Sequence, residues 1–371
     1  MKIVCYKDEL LKGVNIVLKA VPSHTTMPIL QCILIQAYNG HIKLTANDME
    51  LGIETIIAGN ILEQGSICLE AKVLSDIVRK LPDNDVTIES NNERFNTIIT
   101  CEKACFTLNG KDGDDFTHLP DITDKEKYIS ISQFDLKEVI RQTIFAISTN
   151  ESKKIMSGEL MEVNGNVLKM YGLDGFRVAI RKVTLKDDYG SIKVVVPGKT
   201  LSEVSKILTG DAESETLIYF TNNHIIFEFD DTIVVSRLIE GEFLNVSRMI
   251  FSDYETIVKV NKKDLMECID RATLLVKESD QKPIIVDIND ERIEMKVTSA
   301  LGSLEEDMEV EKEGKDIMLG FNPRFIMDAL KVIDDETVSM YIVNSSFPFS
   351  IKDEEENYVY LILPVRFNPA Q

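Results

Sequence analysis

Tryptophan is absent from this 371-residue chain, histidine occurs only four times and cysteine only six. The histidines (His24, His41, His118, His224) do not cluster, and the cysteines (Cys5, Cys32, Cys68, Cys101, Cys105, Cys268) show no C-x-x-C spacing. Closely spaced nitrogen and sulfur donors are what a zinc site needs, so reduced structural thiols are expected, with no metal and no other cofactor. The sequence has no G-x-x-x-x-G-K-[ST], G-x-G-x-x-G, H-E-x-x-H or G-x-S-x-G. The common phosphate cradles, the helical zinc protease and the serine nucleophile elbow are thereby excluded. Apolar runs fall short of the roughly 18 residues of a membrane span, and the opening "MKIVCYKDELLKG" lacks an apolar signal region. A soluble, cytoplasmic protein without a membrane partner is expected. Cations are scarce too. Against 62 acidic residues stand 41 lysines and arginines, a net charge of −21, which opposes nonspecific adsorption to nucleic acid or anionic lipid.

What is present is repetition. The length exceeds the roughly 250 to 300 residues at which a single core stops growing, so more than one domain is expected. Strand-then-helix openings recur as "IVCYKDELLKGVNIVLKAV", "ISISQFDLKEVIRQTIFAI" and "IVKVNKKDLMECIDRATLL", which align Leu10, Leu136 and Leu265. A strand-turn-strand element recurs as "ILIQAYNGHIKLTAND", "GELMEVNGNVLKMYGLD" and "IIVDINDERIEMKVTS". A second strand entering a helix recurs as "ICLEAKVLSDIVRKL", "VVVPGKTLSEVSKIL" and "IMLGFNPRFIMDALKVI", and "FTLNGKDGDDF" matches "VSRLIEGEF" at Phe116 and Phe243. Four elements share a period of about 126 residues, too long for a solenoid, so each copy is a whole domain with a sheet and two helices. The expected class is α+β, as three tandem domains of the order β-α-ββ(β)-β-α-βββ, with antiparallel sheets. The polar segments "DITDKEKY" and "FSDYET" place the boundaries at 1–126, 127–253 and 254–371.

The second helix of each copy repeats one charge pattern: Lys72, Asp76, Arg79; Lys199, Glu203, Lys206; Arg324, Asp328, Lys331. Positions i, i+4 and i+7 share a helical face, so each presents two cations around a carboxylate. The first helices add Lys12 and Lys19, Lys137 and Arg141, Lys263 and Arg271. One such helix is an ordinary solvated face. Six in an acidic chain point to basic residues gathered on one surface, suited to a phosphate backbone that is neutralised without sequence being read. Two acidic stretches are open to more than one reading. "GKDGDDF" offers Asp112, Asp114 and Asp115 as acid/base groups or as a loop, and "SLEEDMEVEKE" is a solvated strand or an acidic edge awaiting a basic partner.

In "YGLDGFRVAI" the pair Asp174-Gly175 reads as a hairpin turn, which by itself leaves Arg177 solvated. Together with the triplicated unit, the basic helices, "MPILQCILI", "SRLIEGEF" and "LILPVRF", however, "LDGFRVA" resembles the bacterial DNA polymerase III beta subunit family, the DNA sliding clamps. The resemblance spans the whole chain. It implies a non-enzymatic head-to-tail homodimer, a ring with sheets outside and helices lining a hole around duplex DNA. It further implies a peptide groove between the second and third domains for the DNA polymerase III alpha subunit, the clamp loader and other clamp-binding proteins. The implied groove residues are Met156, Leu173, Gly175, Arg177, Val178, Leu244, Arg248, Met249, Leu361, Ile362, Leu363, Pro364, Val365 and Arg366, with Arg177 at the rim. The implied DNA-facing positions are His24, Lys72, Asn150, Lys154 and Lys199, beside Arg79, Lys206, Arg324 and Lys331 from the helix stripes. At the dimer edge Phe106 would meet Leu274 and Leu275 of the other chain, and Lys103 would face Glu305, Glu306 and Asp307. Where the family usually has Thr before Asp-Gly and His after it, this chain has Leu173 and Phe176; Leu244 and Val246 replace a common Pro and Tyr, and "NPAQ" extends the end. An acidic peptide-binding scaffold that never encircles DNA is the rival binding module, and a hydrolase using Asp112 and Asp115 the rival enzyme.

Overall fold

The computed structural model describes residues 1–91, 95–120, 127–250, 252–275 and 283–367, apart from the side chains of Glu151, Ser247 and Arg248. The expected boundary at residue 126 and the segment "NPAQ" lie outside the described residues. Each copy follows the predicted order, with helices α1 (Lys7–Val17) and α2 (Ala71–Lys80), α3 (Gln133–Arg141) and α4 (Gly198–Ile207), and α5 (Lys262–Thr273) and α6 (Pro323–Leu330). The first and third copies carry one extra short strand each, Asn60–Glu63 and Glu311–Gly314. Local chemistry sets the helix starts. Asn261 accepts from the N–H groups of Lys263 and Asp264 before α5, and Asn322 accepts from that of Arg324 before the Pro323 that opens α6. In α2 Ala71, Leu74, Ser75 and Val78 are buried while Lys72, Asp76 and Arg79 face solvent, the amphipathic split read from the sequence.

Two compact units result, and neither coincides with a repeat. The first contains residues 1–134 and 206–238, the second residues 135–205 and 239–371. In the first unit one antiparallel sheet has eight strands because Thr232–Arg237, the last strand of the second copy, pairs with Leu51–Ile57 of the first, Val234 opposite Ile53. A buried hydroxyl pair, Thr55 and Thr232 at 2.9 Å, seals that seam. In the second unit a nine-stranded sheet forms in the same way: Tyr358–Ile362, the last strand of the third copy, pairs with Arg177–Thr184, Tyr360 opposite Ala179. Domain seams inside each unit are therefore continuous sheets.

Arg177 closes the second seam. It is buried, 8% exposed, whereas the turn reading left it in solvent and the resemblance put it at a rim. Its Nε donates to Asp174 Oδ2 at 3.1 Å, Nη1 to Asp328 Oδ2 on α6 at 2.6 Å, and Nη2 to the carbonyl oxygen of Phe145 at 2.7 Å. The guanidinium also lies 4.7 Å from the Phe325 ring centroid and 5.4 Å from that of Phe145. Burying a cation is tolerable only with such a set of acceptors and π faces. Removing the arginine strands two carboxylates, so Arg177→Ala should lower unfolding stability by about 3 kcal/mol or more, and Asp328→Asn by about 1.5 to 3. Because the two residues share one interaction, the double variant should cost less than the sum. Urea unfolding of all three variants checks this; strict additivity would show that the pair is uncoupled.

Candidate functional site

Strand alternation sorts the residues around Arg177. Asp174 Oδ1 accepts from the N–H groups of Phe176 and Arg177 at 2.9 and 3.1 Å, and Gly175 takes φ +97°, which closes the turn from Val167–Leu173 into Arg177–Thr184. Along the paired strands Val178, Ile180, Val359 and Leu361 point to one face, and Arg177, Ala179, Tyr360 and Ile362 to the other. The first face joins Leu160, Tyr171, Leu173, Val195, Ile239, Phe243 and Val246 in one apolar cluster, with Ile155, Met156 and Met249 half-buried at its margin.

Of the expected groove residues, Met156, Leu173, Val178, Met249 and Leu361 thus come together. Two do not belong. Arg177 and Ile362 are carried by period-two alternation to the opposite face, where Ile362 packs in the core of the third copy. Gly175, Leu244, Leu363 and Arg366 are exposed, and Pro364 and Val365 half-buried. The chain end is held by two backbone bonds, Leu363 N–H to Phe176 O at 2.9 Å and Val365 N–H to Gly320 O at 2.7 Å. The side chain of Arg248 lies outside the described residues. Ile180, Val359 and Phe243 were missed, although the alternation of Val178 with Ile180 and of Val359 with Leu361 marks the first two.

All nine positions expected to face DNA are exposed: His24, Lys72, Arg79, Asn150, Lys154, Lys199, Lys206, Arg324 and Lys331. Asn150 spends its amide oxygen on Ser152, accepting from N at 3.0 Å and Oγ at 2.7 Å. Lys331 stands one residue past α6 as its cap. Lys12, Lys19 and Lys206 line one open hollow of about 550 Å³. The stripe pattern breaks at three places. Asp328 turns to Arg177 and sits 3.9 Å from Arg324. Arg141 is held by Glu138 and, at 2.8 Å, by Asp334. Arg271 is held by Glu306. These two arginines are neutralised within the chain rather than presented to an anion. Acids gather elsewhere: an open depression of about 1630 Å³ on the third copy is lined by Asp287, Glu294, Glu305, Asp307, Glu309 and Glu311 among others.

Among the described residues, two sheet-terminal strands are the counterparts of strands that pair across the seams. Ala104–Asn109 ends the five-stranded sheet of the first unit, and Gly302–Glu309 ends the four-stranded sheet of the second. Phe106 on the former is 38% exposed, Leu274 beyond α5 is 78% exposed, Leu275 is half-buried and Lys103 is exposed. "SLEEDMEVEKE" therefore does supply an acidic edge, whose Glu305 lies 3.3 Å from Lys296, Asp307 3.5 Å from Arg292, and Glu306 against Arg271. The Asp112 segment is a loop in which Asp112 accepts from the Asp114 N–H at 3.0 Å. Among the described residues no cluster of three or more His, Cys, Asp or Glu could hold a metal ion, and no helix is long and apolar enough to cross a membrane. Burial pushes the thiols of Cys5, Cys68 and Cys268 up to about 12, which leaves them unreactive, while Cys105 alone among the six is exposed, on the first edge.

Comparison with known proteins agrees with this geometry. Family models for the DNA polymerase III beta subunit match in order: the N-terminal domain at residues 1–120, the central domain at 130–245 and the C-terminal domain at 247–366. The chain is 34% identical to the beta sliding clamp of Staphylococcus epidermidis over 99% of both chains. A putative DNA polymerase III beta subunit from Eubacterium rectale superposes with a TM-score of 0.95 at 58% identity, covering 99% of this chain and 100% of that one. The DNA polymerase sliding clamp of Bacillus subtilis gives 0.95 at 36% identity with the same coverage. With three tandem domains, antiparallel sheets and six helices matched along its length, the chain belongs to the DNA polymerase III beta subunit family of sliding clamps.

Proposed function

We propose that this protein is a non-catalytic processivity clamp whose two copies close head to tail into a ring around duplex DNA. The observation that carries the proposal is the pair of leftover edges. Each intrachain seam joins the last strand of one copy to the strand that precedes the second strand-helix element of another. Only the first copy's last strand and the third copy's counterpart lack such a partner, and both are edges. An exposed edge is a template for pairing with a second chain. Register specifies the contact. Cross-strand rows run Ile129, Ile218, Phe227, Val234 and Val258, Met340, Ile351, Tyr360, and the equivalent row Ile3, Ile88, Ile99 ends at Phe106. Val234 meets Ile53 and Tyr360 meets Ala179, so Phe106 should meet Leu304 of a second copy and Cys105 should meet Glu305. Lys103, Leu274, Leu275 and Glu306 then border that line, in place of the direct contact of Phe106 with Leu274 and Leu275 that the resemblance implied.

The domains are then 1–126, 127–253 and 254–371, and the exposed cations of α2, α4 and α6 face the DNA phosphates without reading bases. The apolar cluster at Leu173, Val178 and Leu361 forms the wall of the groove that takes short extended peptides from the DNA polymerase III alpha subunit, the clamp loader and other clamp-binding proteins. An acidic scaffold that never encircles DNA would need none of the edge complementarity.

Two outcomes are expected. In the Glu305→Cys variant, mild oxidation should link the introduced thiol to the native Cys105 of a second copy, because directly opposed residues of antiparallel strands fall within disulfide reach. The product is a covalent dimer that survives denaturing electrophoresis, and Cys105→Ser should abolish it; a monomer-only gel from the single variant would refute this register. Loaded on nicked circular DNA, the protein should persist through a salt rise and be lost on linearisation, since direct phosphate attraction weakens steeply with salt on any DNA. Equal retention on linear DNA with free ends would favour the scaffold reading.

A further inference from the structure

The three copies serve as controls for one another, and one core position departs from the pattern. Pairing register equates Ile33 (opposite Leu69), Glu159 (opposite Val196) and Ile284 (opposite Phe321). All three are 0% exposed, yet the central copy alone has a carboxyl group there. The helix alignment through Leu10, Leu136 and Leu265 equates Val17, Thr143 and Ala272, again fully buried and again polar only in the central copy. A hydrogen-bonded pair, Thr143 and Glu159, thus replaces an apolar pair of the other copies.

Counting hydrogens bears on its ionisation state. Thr143 Oγ1 lies 2.7 Å from the carbonyl oxygen of Val139 and 3.0 Å from Glu159 Oε2. The hydroxyl has one hydrogen for two acceptors, and the shorter contact, to Val139, has the better claim on it. The contact to Glu159 is then a bond only if the carboxyl carries a proton and donates it to Thr143 Oγ1. Glu159 Oε1 has no hydrogen-bond partner among the described residues, an arrangement far less costly for a neutral acid than for a buried carboxylate.

We propose that Glu159 is a neutral carboxylic acid that positions the peptide groove from behind, and that its ionisation releases the groove. Thr143 leads into the short 3-10 turn Ile144–Ala146, which rests so closely on Gly172 that a Cβ there would stand 2.5 Å from the Thr143 carbonyl oxygen. The start of the turn is held by Glu159 through Thr143, its middle residue by Arg177 through the carbonyl of Phe145. Glu159 itself lies between Met156 and Leu160, both of the groove cluster. Losing the proton sets a carboxylate against the hydroxyl lone pairs, and Thr143 must give up either Val139 or its place.

Burial pushes the carboxyl up to about 8, and only a hydroxyl hydrogen turned from Val139 to Oε2 would oppose that rise. No charged group among the described residues acts on it. The charged residues of the surrounding elements are engaged elsewhere: on α3, Glu138 and Arg141 with each other and Arg141 with Asp334, and across the sheet Lys193 with Glu162 at 3.5 Å. As pH rises from the ordinary carboxyl value of 4.5 towards 8, the unfolded chain gives up a proton that the folded one keeps, so stability falls across that window. Above it the folded protein itself ionises.

The test rests on the groove reading and uses two readouts. In the infrared difference spectrum of wild type minus Glu159→Gln at pH 7, the carbonyl stretch of a protonated carboxyl should appear; its absence overturns the proposal. A labelled synthetic hexapeptide ending in Leu-Phe is then titrated against both proteins at pH 7 and pH 9. One pH unit above the midpoint the competent form falls to about a tenth, so the wild-type Kd should rise about tenfold while that of Glu159→Gln stays level. The Glu159→Ile variant, bearing the residue of the other copies, is the second pH-silent control. Identical pH profiles for wild type and variants overturn the positioning role. A wild type that shows the protonated band but binds no peptide at pH 7 overturns the groove reading instead, and the positioning role with it.

Discussion

The second unit is organised around a buried cation that cannot be left unsatisfied. Arg177 needs a full set of acceptors, and the acceptors it has come from three separate elements: its own turn, α6 and the turn after α3. A guanidinium is planar and forked, so it fixes the directions as well as the distances of what it binds. The strand that bears it must also present Val178 and Ile180 to the other face, and the apolar cluster inherits its position from that requirement. The expected binding surface is thus the back of an electrostatic knot rather than an independent feature.

Much of the architecture is legible along the chain because triplication makes weak signals repeat. A single "DLKEVI" or "DLMECI" says little; three such openings at one spacing define the helices, and the alternation that follows defines the strands. The amphipathic split of α2 was readable for the same reason. The environment of Arg177 was not, since its partners Asp328 and Phe145 lie 151 and 32 residues away in sequence, and a hairpin arginine in isolation belongs in water. Arg141 and Arg271 were read as outward cations because Asp334 and Glu306, which neutralise them, sit on other elements. Glu159 escaped notice because a charged letter at a strand start looks solvated, and only the register against Ile33 and Ile284 shows that it occupies a core position.

The opposition between composition and function dissolves at the level of placement. A net charge of −21 is compatible with holding DNA if carboxylates gather away from the helices, as in the depression beside Glu305 and Glu309, leaving lysines exposed on helices. Weak, non-directional contacts suit a protein that must move along its substrate, because a tight set of phosphate bonds would arrest it.

Sheets that run uninterrupted across a domain seam also have a mechanical meaning. In the seam at Arg177–Thr184 the backbone bonds, the guanidinium and the chain connection act in parallel, so a load there is shared among all of them. An edge-to-edge contact between two copies has neither the covalent connection nor a counterpart of Arg177, whose register position is taken by Gly302. Under torsion each unit therefore deforms little across its own seam, whereas a contact between separate chains rests on edge pairing and side chains alone. Of these two kinds of joint, the inner seam is the one that holds when the other lets go.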